Sequence, residues 1–164
     1  MAAKTKPIRV CFVCLGNICR SPTAEGVMQH LIDELGLGDR IQIDSAGTGA
    51  YHVGEAADPR SAAEAKRRGV ILTSRARLFV AEDLDNFDYV VAMDGKNLAH
   101  MTRMAKSDAH RQKLSLLRNF ASAGRDLDVP DPYYADNFDE VFDICMEGCR
   151  ALLDQIVKTH GLRP

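Results

Sequence analysis

The stretch Ile8-Arg9-Val10-Cys11-Phe12-Val13-Cys14-Leu15-Gly16-Asn17-Ile18-Cys19-Arg20-Ser21-Pro22 decides the fold. Ile8 to Val13 is a short, mostly apolar, β-rich run, the pattern of a strand buried on both faces. It runs into a tight loop from Cys14 to Ser21. Pro22 suits the first turn of a helix, and Ala24, Val27, Met28, Leu31, Ile32 and Leu35 follow at helical spacing up to Gly36. Further along, Ile41 to Asp44 reads as a second strand. Asp58-Pro59 is a cap and first-position signal for a helix ending near Gly69. Phe87 to Met93 holds a third strand and Lys96 to Lys106 a helix, while Leu114 to Leu117 reads equally as a fourth strand or a helical turn. Val141, Ile144, Cys145, Gly148, Cys149, Leu152 and Ile156 form an apolar stripe on a closing helix. Strands alternating with helices predict an α/β fold with a mainly parallel sheet covered on both faces. In such sheets ligands bind beyond the carboxyl ends of the strands, where the loop at Cys14 falls.

Composition agrees with this class. The chain has 164 residues, 46% of them hydrophobic and 27% charged, with a formal net charge of −2. One domain spanning 1–164, its residues 1–7 flexible, is expected at this length. No apolar run reaches the roughly 20 residues of a membrane span, and the polar, basic start lacks a signal-peptide core. A pI near 6.2 argues against nucleic-acid binding through a basic face. Five cysteines fit no disulfide framework, so reduced thiols and a cytoplasmic location are expected.

The loop is where those thiols matter. Cys14 followed six positions later by Arg20 is weak alone, but here a strand delivers Cys14 and a helix starts after Ser21. Gly16 and Asn17 tolerate backbone conformations that other residues resist. Such a loop turns successive N–H groups inward as an anion-binding nest, and Arg20 adds a planar fork for two oxygens of a tetrahedral oxyanion. The same positive field lowers a cysteine pKa from about 8.5 toward 3.5–7.5. Ser21 could donate a hydrogen bond to the thiolate. The loop would therefore bind phosphate and activate a nucleophile with one set of groups.

The other thiols read differently. Cys11 and Cys14 make a C-x-x-C pair, but residues three apart on a strand face opposite ways. No second pair or clustered histidine completes a metal site, since His30, His52, His100, His110 and His160 are scattered. Cys11, Cys145 and Cys149 read as core residues. Cys19 is open between a partner that caps Cys14 as a reversible disulfide and a packing residue. Phosphoryl transfer also needs a proton donor, for which Asp131 in Val129-Pro130-Asp131-Pro132-Tyr133-Tyr134 is the candidate, with a simple turn as the competing reading.

The loop together with Asp131-Pro132-Tyr133-Tyr134 resembles the low-molecular-weight protein tyrosine phosphatases. Asp44-Ser45-Ala46-Gly47-Thr48, Asp88-Tyr89-Val90 and Met93-Asp94 with Asn97 match as well, over residues 8 to about 157. The resemblance implies a four-stranded parallel sheet flanked by helices, and metal-free, cofactor-free hydrolysis of phosphotyrosine through a phosphocysteine. It implies Cys14 as nucleophile, Arg20 as phosphate clamp and Asp131 as general acid and then base. Leu15, Gly16, Asn17, Ile18, Cys19 and Ser21 would form the substrate-binding loop, with Ser45 supporting it and Tyr51, Tyr133 and Tyr134 walling the cleft. The partners implied are a phosphotyrosine protein as substrate and inorganic phosphate as product, with the enzyme a monomer. Two departures stand out: Ser74 occupies a position that is histidine in some members, and Ile18 stands where an arginine-dephosphorylating branch has threonine. Two rivals are weaker. Arsenate reduction needs relay thiols, and no cysteine lies between residues 20 and 144; a non-catalytic phosphate reader would have lost Cys14, Arg20 or Asp131.

Overall fold

The computed structural model describes residues 5–164, so most of the N-terminal stretch expected to be flexible, residues 1–4, lies outside the described residues. Strand β1 (Ile8–Cys14) is buried at every position but Arg9. It is a central strand of a four-stranded sheet in the order β2-β1-β3-β4, with β2 (Ile41–Gly47), β3 (Tyr89–Ala92) and β4 (Leu114–Leu116) all parallel. Since β1 alternates sides, Val10, Phe12 and Cys14 enter one apolar cluster while Cys11 and Val13 enter the other. This separation removes the C-x-x-C reading on geometric grounds.

The first cluster lies under α1 (Arg20–Glu34), α2 (Pro59–Arg67) and the long closing helix α8 (Phe138–His160). There Phe12, Met28, Leu152 and Ile156 have no solvent exposure, and each such side chain contributes roughly 1.5–3 kcal/mol by leaving water. Gly148 lets α8 come close to α6 (Leu117–Ala121): a Cβ there would meet Leu117 Cγ at 2.6 Å. The second cluster joins α3 (Asp83–Asn86) and α4 (Gly95–Met104) to the sheet through Leu84, Phe87 and Met101.

The predicted strands and long helices are present, with shifted ends. Helix α1 begins at Arg20 rather than at Pro22, so Pro22 sits at its third position, still within the turn where a missing N–H costs nothing. Strand β2 continues three residues past Asp44 because Ser45, Ala46 and Gly47 keep pairing with Phe12, Val13 and Cys14. Leu114–Leu116 is a strand, and the chain turns straight into α6 at Leu117, so both readings of that segment hold in part. The short helices α3, α5 (Asp108–Gln112) and α7 (Pro132–Ala135) were not expected. At four or five residues they carry no period; α5 and α7 start on side-chain caps from Ser107 and Asp131.

From β1 the chain crosses to β2 on one side, and the sheet later continues from the other side through β3. The carboxyl end of β1 is thus the point where strand order reverses, and Cys14 ends that strand.

Candidate active site

Cys14 lies at the floor of a cavity of about 430 Å³. Its lining contains Leu15, Gly16, Ile18, Cys19, Arg20, Tyr51, Asp131, Tyr133 and Tyr134 from the sequence-predicted set, and His52, which was not predicted. Asn17, Ser21 and Ser45 are buried behind the loop and do not line the cavity. The side chains of Asn17 and Ser21, expected as part of the substrate-binding loop, lie behind it and hydrogen-bond there, while the Asn17 N–H faces Cys14 Sγ.

The loop has its curvature because Asn17 takes a left-handed conformation at φ 57°, which asparagine tolerates better than most residues. Its N–H then points at Cys14 Sγ, 3.3 Å away. Outside the loop, the N–H groups of Thr48, Gly49 and Asp58 donate to the carbonyls of Cys14, Leu15 and Ile18. Those outward bonds leave the inner side of the loop to its own amides. Cys19 precedes α1 without a side-chain cap, and no acidic residue occupies the first turn. No acidic side chain of its own first turn therefore offsets the positive end of α1 beside the cavity.

Behind the loop, hydrogen-bond polarity settles who donates. The Asn17 amide Nδ2 donates to Ser21 Oγ at 2.7 Å and to Ser45 Oγ at 2.9 Å. Each hydroxyl accepts there and keeps its own proton to give. Ser45 gives it to Glu25 Oε1 at 2.5 Å; Ser21 Oγ has two acceptors in reach, Cys14 Sγ at 3.0 Å and the more distant Ala46 carbonyl at 3.5 Å, and can give its proton to the sulfur. Burial pushes the Glu25 carboxyl up, and the hydroxyls of Ser45 and Ser74 offset part of that.

Arg20 is almost fully buried. Its Nη1 donates to Asp94 Oδ2 at 2.6 Å and to the Val129 carbonyl at 3.2 Å, and its Nη2 lies 3.6 Å from Asp131 Oδ2. Burial works against the charged guanidinium, but Cys14, Asp94 and Asp131 outweigh it and hold the Arg20 pKa above its ordinary value. Asp94 can spare one oxygen because its other caps α4 by accepting the Asn97 N–H. Asp131 caps α7 with Oδ1, accepting the Tyr133 N–H at 3.1 Å, and leaves Oδ2 toward the cavity. Tyr133 and Tyr134 stack edge to face at 5.1 Å, and Tyr51 and Tyr134 are largely exposed at the rim. The remaining thiols are held neutral: burial pushes Cys19 and Cys145 up to about 12, and holds Cys11 and Cys149 well above the ordinary thiol value. Cys19 packs with Ile18, Ala76 and Phe138.

Sequence reasoning missed Glu25, His52 and the part played by Asp94. Glu25 had a signal, a carboxylate beside Ala24 and Val27 on the buried side of α1. Asp94 showed only as a cap before α4, since its partner Arg20 is 74 positions away.

A thiol, a guanidinium and a carboxylate converging on one cavity at a helix N-terminus make a site that can hold a tetrahedral oxyanion and exchange a group with it. The family model for low molecular weight phosphotyrosine protein phosphatase matches residues 9–161. A low molecular weight protein-tyrosine-phosphatase of Streptomyces coelicolor is 45% identical over 149 residues, covering 88% of this chain and 91% of that protein. The crystal structure of YfkJ from Bacillus subtilis superposes with a TM-score of 0.89 at 39% identity, over 96% of this chain and 99% of that one. A Drosophila arginine phosphatase superposes with a TM-score of 0.84 at 31% identity, over 91% and 98% respectively. The chain belongs to the low molecular weight phosphotyrosine protein phosphatase family.

Proposed function

We propose that this enzyme hydrolyses phosphotyrosine in proteins by two in-line displacements at Cys14. The observation that supports it best is the placement of Cys14, Arg20 and Asp131 around one cavity. In the first step the loop amides and Arg20 bind the phosphate dianion, and Cys14 thiolate forms the S–P bond as the P–O bond to the phenol breaks. Asp131 gives its proton to the departing phenolate oxygen. In the second step Asp131, now a carboxylate, takes a proton from water as the water oxygen attacks phosphorus. The S–P bond breaks, leaving Cys14 thiolate and inorganic phosphate. Arg20 and the amides stabilise the equatorial oxygens through both steps, so the reaction calls for no metal.

The tyrosine rim favours a flat aryl group over a short serine phosphate, because Tyr51, Tyr133 and Tyr134 line the cavity above Cys14 and offer it aromatic contact. Arginine phosphate is the second reading, raised by the likeness to the Drosophila enzyme. Ile18 on the cavity wall speaks against it, since its side chain has no hydroxyl to activate attack on a phosphoramidate. We further propose a cytoplasmic monomer with no nucleic-acid partner, in which the catalytic thiol stays reduced. No helix among the described residues is long and apolar enough to cross a membrane.

Labelled aryl phosphate added to wild type and to Cys14→Ser tests the central step. Label should be trapped on the wild-type chain and absent from Cys14→Ser. Label on the variant, or hydrolysis of phosphoarginine outrunning that of phosphotyrosine, would each refute part of the reading.

A further inference from the structure

Arg77 is outside the cavity, yet its main chain reaches the loop that forms it. Its N–H donates to Asn17 Oδ1 at 3.0 Å. That contact decides which way the Asn17 amide faces. With Oδ1 held by a donor, Nδ2 must face Ser21 and Ser45, two hydroxyls it can donate to. Rotate the amide by half a turn and the Arg77 bond is lost, while Ser21 and Ser45 must turn their own protons toward Oδ1. The Ser21 proton then has no reason to point at Cys14.

The segment holding Arg77 belongs to no helix or strand, so something else has to fix the position of that N–H. Two anchors do so. The main chain pairs with the end of β2, through Gly47 N–H to the Arg77 carbonyl at 2.8 Å and Phe79 N–H to the Gly47 carbonyl at 2.7 Å. The side chain spreads across two elements. Nη1 and Nη2 grip both oxygens of the buried Asp83, at 3.0 and 3.2 Å, and Nε donates to Asp44 Oδ2 at 3.1 Å. Asp83 begins α3 and Asp44 lies in β2, so the guanidinium ties the strap to both at once. A planar fork of this kind resists rotation in a way that a single ammonium contact does not.

We infer that Arg77 is a positioning residue for catalysis: its fork on Asp83 and Asp44 fixes the N–H that orients Asn17, and through Asn17 and Ser21 the sulfur of Cys14. The inference rests on the Cys14–Arg20 loop being the phosphate site, and it assigns to a residue outside the cavity a share in how well that site is built.

The test uses the full chain with Arg77→Lys, Asn17→Gly and the two combined, measuring kcat on an aryl phosphate and the inhibition constant of inorganic phosphate. Lysine keeps the charge near Asp83 but loses the fork; glycine at 17 keeps the left-handed backbone and removes the amide. Arg77→Lys should lower kcat and weaken phosphate inhibition by on the order of 10-fold, as small displacements of reacting groups do. The double variant should be no worse than Asn17→Gly, within about 2-fold, because without the amide there is nothing left for Arg77 to orient. Losses that multiply in the double variant would overturn the inference, as would unchanged kinetics with only a lowered melting temperature. If Arg77→Lys does not fold, Asp44→Asn, which removes the Nε partner at a half-exposed carboxylate, is read against Asn17→Gly by the same two outcomes. Phosphate failing to inhibit the wild-type enzyme is a separate result, and it removes the site assignment itself along with this inference.

Discussion

Arg20 and Asp94 face each other at 2.6 Å, the guanidinium almost buried and the carboxylate only slightly exposed. The pair joins the first residue of α1 to the N-cap of α4, so the arginine fork is held before any ligand arrives. With Nη1 taken by Asp94 and Val129, Nη2 remains on the side of Asp131 and the cavity. Asp94→Ala should therefore weaken phosphate inhibition and lower kcat/KM by about 10- to 100-fold, because a freed Arg20 must be reoriented in each cycle. Asp94→Asn, which keeps the cap and an acceptor, should recover much of that loss. Kinetics of the two variants side by side check this; equal losses would mean that charge, and not orientation, is what Asp94 supplies.

Asp131 accepts the Tyr133 N–H through one oxygen, and the other faces the cavity 3.6 Å from Arg20 Nη2, where it can carry a proton to the leaving group. Asp131→Asn should slow hydrolysis of alkyl-substituted phenyl phosphates by roughly 100- to 10,000-fold, the usual range for a lost general acid. Substrates with nitrophenol-type leaving groups, which depart without a proton, should suffer far less in the first step. A plot of rate against leaving-group pKa tests it, and parallel lines for wild type and variant would exclude the role.

Why some of this was legible in the chain and some was not follows from distance along it. The loop from Cys14 to Ser21 is eight consecutive residues between a strand and a helix, so local chemistry alone marks it. The buried strand β1 and the stripe of α8 are likewise periodic and self-announcing. Glu25, Arg77 and Asp94 act on the loop only because the parallel pairing β2-β1-β3 gathers segments from across the chain. Their partners are Ser45, Asn17 and Arg20, from 20 to 74 positions away, and no local spacing encodes such a meeting. Helix boundaries shifted for a related reason: α1 starts early at Arg20 because tertiary contacts fix Arg20 and Ser21, where propensity alone pointed to Pro22.

Gly47 ends β2 directly against the loop. A Cβ there would sit 2.7 Å from the Leu15 carbonyl oxygen and 3.2 Å from Asn17 Cβ. Both neighbours belong to the loop itself, so relief must come from moving it. Gly47→Ala should cost about 1–3 kcal/mol in stability, as overpacking does. Its effect on activity should be larger, on the order of 100-fold in kcat/KM for a displacement near 1 Å. Denaturant midpoints and aryl phosphate kinetics together check this. Unchanged kinetics would show that the loop yields at no catalytic cost.

Asp58 ties acid stability to the loop. Its carboxylate caps α2 by accepting the Arg60 N–H at 2.8 Å and also takes the Arg60 side chain, while its own N–H donates to the Ile18 carbonyl at 2.8 Å. Burial alone would raise the Asp58 pKa, but the side-chain and backbone donors of Arg60 outweigh it and hold the carboxyl below its ordinary value of 3.8. The unfolded chain then binds the proton more readily than the folded one. The stability Asp58 contributes is therefore fully present above pH 3.8 and is lost as pH falls through the lower folded value. At neutral pH Asp58→Ala should cost about 1 kcal/mol, the usual worth of a cap. Asp58→Asn keeps a capping oxygen and should lose less there, yet its stability should fall less steeply than wild type on acidification. Urea midpoints measured from pH 7 down to pH 3 decide the matter: parallel acid limbs for wild type and Asp58→Asn would show that the charge of Asp58 plays no part.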